Sequence, residues 1–137
     1  MKVNIGKIET SNWYYNKHNN IKQGEFNVIN ENLKLTPFVY NSQTPKFFKL
    51  VLEWEFRIKD EDKTFNILTL DWTQEFVIEL NDNQDKETLK NMLSTSQMHF
   101  EDDLKEKLKG TVLESYSFKW VYFDQTADNI LALVRKE

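Results

Sequence analysis

The sequence predicts an α+β fold: a four-stranded antiparallel sheet with a long helix packed on one face and a short helix at the C-terminus. Three observations predict it. Residues Phe47 to Leu80 alternate apolar and polar side chains in two arms around an acidic turn. Residues after Asp85 carry an apolar stripe at helical spacing that closes on Gly110. A second, shorter helical stripe follows Asp124. A period of two with one apolar face marks a strand half-buried against a core, and a period near 3.6 marks an amphipathic helix.

The hairpin is the most informative stretch. Its first arm presents Phe48, Leu50, Leu52, Trp54, Phe56 and Ile58 on one face, and its second presents Leu68, Leu70, Trp72, Phe76, Ile78 and Leu80. Asp60-Glu61-Asp62-Lys63 has nothing to bury and reads as the turn. With Lys59 opposite Thr64, Ile58 faces Phe65 and Phe56 faces Ile67. The apolar phase then slips from odd to even positions, so a β-bulge is expected at Ile67-Leu68. Beyond it Trp54 faces Leu70, Leu52 faces Trp72 and Phe48 faces Phe76, while Lys49 meets Glu75. Glu53 then faces Asp71, a like-charge pair that needs a cation such as Arg57 nearby.

The other elements follow in chain order. Val3, Ile5 and Ile8 alternate ahead of Trp13-Tyr14-Tyr15, and His18-Asn19-Asn20 with Gly24 marks a loop. Phe26 to Leu35 reads as a strand interrupted at Asn30-Glu31-Asn32. Thr36-Pro37 ends it or lies at an edge, because proline cannot donate to a ladder. Phe38 to Thr44 reads as a connection. Asp82 or Asp85 caps a helix whose stripe is Leu89, Leu93, Gln97, Phe100, Leu104 and Leu108, broadened by Met92. Gly110 stands where a left-handed residue ends such a helix. Val112 to Phe123 reads as a strand or an extended arm. Asp124-Gln125-Thr126 caps a final helix bearing Ile130, Leu131, Leu133 and Val134.

Bulk properties bound the function. A chain of 137 residues forms one domain, here residues 1–137, large enough to bury a core. A net charge of -4, with no basic block between aromatics, argues against nucleic acid. Absence of cysteine excludes disulfides and thiol chemistry. Met1 to Gly6 has no apolar signal core and no stretch suits a bilayer, so a cytoplasmic protein without membrane insertion is expected.

Catalytic and metal motifs are missing. His18 and His99 lack clustered companions and read as surface or interface residues. Asn81-x-Asn83-x-Asp85 lacks the glycine and the twelfth-position acid of a calcium loop, with Lys86 and Met92 in those places. The three glycines make no phosphate loop. The carboxylate pairs Glu53/Glu55 and Asp102/Asp103 read as solvated faces, without the desolvation acid–base work requires. The expectation is a protein that is not an enzyme and uses no cofactor or metal.

Surplus apolar surface is what remains: Trp13, Tyr14, Tyr15, Phe38, Val39, Tyr40, Phe47, Tyr116, Trp120 and Tyr122 exceed what one sheet and one narrow helix cover. Terminal segments folding over them, or a homo-oligomer interface, is one reading. An apolar groove for polypeptide is the other.

The layout from Ile8 to Leu133 resembles the SecB family of export chaperones. The resemblance rests on an Ile-x-Thr stretch ending in aromatics (Ile8 to Tyr15), the strand at Leu33-Lys34-Leu35, and the polar connection Tyr40 to Thr44. The long hairpin, the striped helix closing on Gly110-Thr111, an extended arm and a terminal helix complete it. It implies a four-stranded antiparallel sheet with a helix packed on it, and nucleotide-independent binding of unfolded or partly folded protein clients. The implied polypeptide-binding residues are Trp13, Tyr15, Phe38, Tyr40, Trp120, Tyr122, Ile130, Leu131 and Leu133. A homo-oligomer is expected, a dimer before a tetramer, although the charged run Glu101 to Lys107 departs from the family's tetramer-packing helix. The alternative is a small acidic inhibitor, of the kind a phage encodes, that binds one folded partner.

Overall fold

A computed structural model describes residues 2–15, 30–40, 47–60, 65–79, 85–111, 113–117 and 122–134. Four strands, β1 (Lys2–Tyr15), β2 (Asn30–Tyr40), β3 (Phe47–Asp60) and β4 (Phe65–Glu79), precede two helices, α1 (Asp85–Leu108) and α2 (Phe123–Val134). The strands form one sheet in the order β1-β4-β3-β2, each pair antiparallel. Both helices lie on the face that carries the even-numbered apolar residues of the hairpin. The α+β architecture, with its long and short helices, is the one the sequence predicts.

The hairpin carries its bulge where the phase slips. Ile58 pairs with Leu68 and Lys59 with Asn66, so Ile67 is the extra residue; Ile67 and Leu68 are both fully buried. The bulge re-aims the strand and keeps both side chains in the core. The pairing itself differs by two residues from the expected one: Trp54 faces Trp72, Leu50 faces Phe76 and Leu52 faces Gln74. A shift of two leaves every side chain on its face, so apolar alternation cannot detect it. The ladder extends to Asp60 opposite Phe65, so Asp60 belongs to the strand, and residues 61–64 lie outside the described residues. Lys49 now faces Val77, yet its ammonium still reaches diagonally to Glu75 at 3.2 Å. The like-charge pair becomes Glu55 against Asp71, and Arg57 is bonded to Asp71 as that crowding requires.

Two expectations are corrected. Phe38 to Tyr40 is no connection: β2 runs through Pro37 to Tyr40, with Asn30 to Asn32 inside the ladder. Proline is tolerated because β2 is an edge strand. Residues 113–117 are a turn and an irregular stretch, not a strand. Asp82 and the loop at His18 to Gly24 lie outside the described residues.

α1 starts with Asp85 and Glu87 in its first turn and ends with Lys105 and Lys107, each charge opposed to the nearby pole of the helix dipole. Gly110 has φ 81°, the left-handed conformation a glycine adopts without strain after a helix. β1, the other edge, breaks register between Ile5 and Ile8 and between Ser11 and Tyr14, with Asn12 at φ 51° in the second break.

The core divides into two clusters. One joins Phe48, Leu50, Leu52, Phe76 and Ile78 to Leu89 and Leu93 of α1 and to Ala127, Ile130, Leu131 and Val134 of α2. The other gathers Trp54, Phe56, Ile58, Leu70 and Trp72 under Phe100, Leu104 and Leu108. Trp54 stacks on Phe100 at 5.6 Å and donates its indole N–H to Ser96 Oγ at 3.0 Å. Trp72 meets the same ring edge-on and donates to Asp103 Oδ2 at 2.7 Å. Gln74, Ser96 and Gln97 are buried polar residues of the middle of the structure, and both amide atoms of Gln74 lack a hydrogen-bond partner among the described residues.

Candidate polypeptide-binding surfaces

Strand alternation sends odd-numbered hairpin residues to the sheet face away from the helices. That outer face has two unlike ends. At one end β2 contributes Phe38 and Tyr40, β3 contributes Phe47 and Val51, and β4 contributes Val77. Phe38 pairs with Val51, and Tyr40 lies level with Lys49 and Val77. Phe38 is 39% exposed, Tyr40 59%, Phe47 49% and Val77 48%. These side chains surround the Lys49–Glu75 ion pair and form an exposed, largely aromatic patch.

The opposite end is charged. Arg57 donates to the carbonyls of Phe56 and Leu70 and bonds Asp71, which also accepts from Asn12. Glu53 is held above the usual carboxylate range, first by partial burial, then by its hydrogen bond with Glu55 and the charges of Glu55 and Asp71; Lys34 opposes this. A concavity of about 590 Å³ is lined there by Glu31, Asn32, Arg57, Lys59, Asn66 and Thr69. The Glu53/Glu55 pair is thus less solvated than its sequence context implies.

On the helix side, Tyr122 is 86% exposed just before α2, and Leu133 is 53% exposed on the outward side of α2. Ile130 and Leu131, at 0% and 9%, instead pack into the core beneath that helix. Trp13 carries the Lys107 ammonium 5.6 Å over its ring, and Tyr15 is half-buried beside the aromatic cluster. Trp120 lies outside the described residues. Tyr116 packs edge-on against Phe56 at 6.0 Å and donates its hydroxyl to Glu31 Oε2.

The structure therefore gathers Phe38 and Tyr40 on one face, sets Tyr122 and Leu133 on the other side of the sheet, and leaves Trp13 on the far strand, β1. Val77 was missed by sequence reasoning, although it is an apolar residue at an odd position in an even-phased strand, and Phe47 was counted as surplus apolar surface without being assigned to the binding site. Ile5 and Ile8, opposite Phe76 and Gln74, are exposed on the helix side of β1.

No protein-family model matches this chain, and no curated protein matches it. The geometry of its surfaces therefore carries the functional reading.

Proposed function

We propose that this protein binds extended apolar segments of unfolded or partly folded polypeptides without nucleotide, as a SecB-like chaperone or adaptor. The observation that supports this reading is the aromatic patch of Phe38, Tyr40, Phe47 and Val77 beside the open edge of β2. Aromatic anchors beside a strand edge that pairs with no other described strand suit an extended chain, which gains ladder hydrogen bonds from the edge and apolar burial from the patch. Burying a few hundred Å² at about 25 cal/mol per Å² gives several kcal/mol, much of it offset by ordering the client. Binding of roughly micromolar strength per segment results, so tight holding needs several segments on one oligomer. A homodimer supplies that valency and covers edge strands a monomer leaves open.

A second reading draws on the carboxylates Glu53, Glu55 and Asp71 at the charged end of the outer face: a small acidic inhibitor that binds one folded partner. Suppression of aggregation of two unrelated denatured proteins, assayed without nucleotide, separates the two. The chaperone reading expects suppression of both, weakened about tenfold by Phe38→Ala with Tyr40→Ala in a chain that stays folded. Absence of suppression by the wild type removes the chaperone reading and leaves the inhibitor.

A further inference from the structure

α2 is the shorter of the two helices and closes one end of the core. A helix satisfies its backbone hydrogen bonds internally, so side chains alone hold α2 to the rest of the fold. Ala127, Ile130, Leu131 and Val134, spaced i, i+3, i+4, i+7, fill the cluster around Leu50, and Phe123 at the start of α2 lies edge-on to Trp54 at 6.5 Å. Beside them Lys86 of α1 reaches Asp124 at 3.2 Å and Asp128 at 3.0 Å, and Lys90 reaches Asp124 at 3.3 Å. These four charged side chains are 33–64% exposed, so the attraction is weak and screened by salt. The seat combines an apolar trough with two lysines on its rim. Any amphipathic helix with the same apolar spacing and acids at the two matching positions satisfies it, with no sheet hydrogen bond lost.

We propose that the seat of α2 is a docking site for an acid-bearing amphipathic helical segment of a partner protein, with α2 as its resident occupant. The proposal rests on the polypeptide-binding reading above and names one client class: an apolar helical stripe flanked by two carboxylates. Charge complementarity with Lys86 and Lys90 selects that chemistry. The tether through residues 109–122 keeps α2 at a local concentration on the order of millimolar, so the unaltered chain admits competitors only weakly. Weakening α2 at its acids, while leaving the seat intact, opens the site.

The test uses full-length chains and a fluorescent synthetic peptide of residues 122–134. A chain carrying Asp124→Lys with Asp128→Lys repels its own α2 but keeps the lysines of its seat. It is expected to bind the native peptide at least about tenfold more tightly than wild type does, with the gain collapsing in about 1 M salt. The reciprocal chain, Lys86→Glu with Lys90→Glu, is expected to prefer a peptide carrying the same Asp124→Lys and Asp128→Lys changes. In both chains hydrogen exchange in α2 quickens while that of Phe100 to Leu108 holds, which also confirms folding. Unchanged exchange in α2, or a peptide preference that does not reverse with the seat's charge, overturns the proposal. Aggregation suppression is read separately: a chain that docks the peptide but holds no unfolded protein keeps the seat and loses the chaperone function.

Discussion

The two halves of the core bury comparable stripes of the same sheet and differ in what holds them. Around Trp54, aromatic rings stack and meet edge-on, and both indole N–H groups donate to α1 side chains at Ser96 and Asp103. Those contacts are directional and buried or partly buried, so they fix α1 in one place. Around Leu50 the partners are mostly aliphatic, with Phe48 and Phe76 among them, and a separate helix completes the cover with surface ion pairs at its rim and Phe123 edge-on to Trp54. Aliphatic packing is non-directional and tolerates exchange of one apolar stripe for another. The difference teaches that directional contacts anchor one half of this core, while the other is closed chiefly by apolar area.

Mutations sharpen that contrast. The largest loss is expected for Phe100→Ala, which removes a ring packed between two tryptophans: about 3–5 kcal/mol in urea unfolding. Ile130→Ala in α2 is expected nearer 2 kcal/mol, because the seat can close on a smaller side chain. Equal losses at the two positions would break the comparison.

Gln74 tests the seam from the opposite direction. Its amide is fully buried with no hydrogen-bond partner among the described residues, facing Leu52 across the ladder. Gln74→Leu is expected to raise stability by about 1 kcal/mol, since the buried amide is desolvated without return. A loss of similar size would show that the amide is bonded within the folded protein.

Titration separates the halves further. The Tyr116 hydroxyl is pushed well above its ordinary value of 10 by burial, then by its hydrogen bond to Glu31 and that carboxylate's charge. The folded state therefore favours the neutral phenol, so this stability is complete below pH 10 and is lost as pH rises from there toward the folded value. Tyr116→Phe is expected to remove that alkaline decline. Asp124 behaves in the opposite sense. Hydrogen bonds from Lys86 and Lys90 hold it below its ordinary 3.8, so its contribution is present above 3.8 and fades as pH falls through the lower folded value. α2 is expected to loosen in that acid window ahead of α1, as read by amide exchange.

Much of the fold was legible in the sequence because alternation and helical spacing report which side chains seek a core. The bulge at Ile67 was found that way, as was the end of α1 at Gly110. The register was not, since pairing Trp54 with Leu70 or with Trp72 leaves the same residues inside. β2 was cut short at Pro37 because a proline in a strand is allowed only at an edge, and strand order is not a local property. For the binding surface, the phase of Val77 in β4 held the missing signal, and that of Phe47 in β3 would have placed an already noted surplus aromatic beside it. Ile130 and Leu131 show the limit of that method: an apolar stripe on a short helix does not say whether it faces a client or its own sheet.

Native-state hydrogen exchange along the two helices tests the central claim most directly. The account predicts that the amides of α2 open at a free energy well below that of Phe100 to Leu108, with α1 intact while α2 is open. Exchange of both helices in one cooperative step, at the free energy of global unfolding, would contradict it.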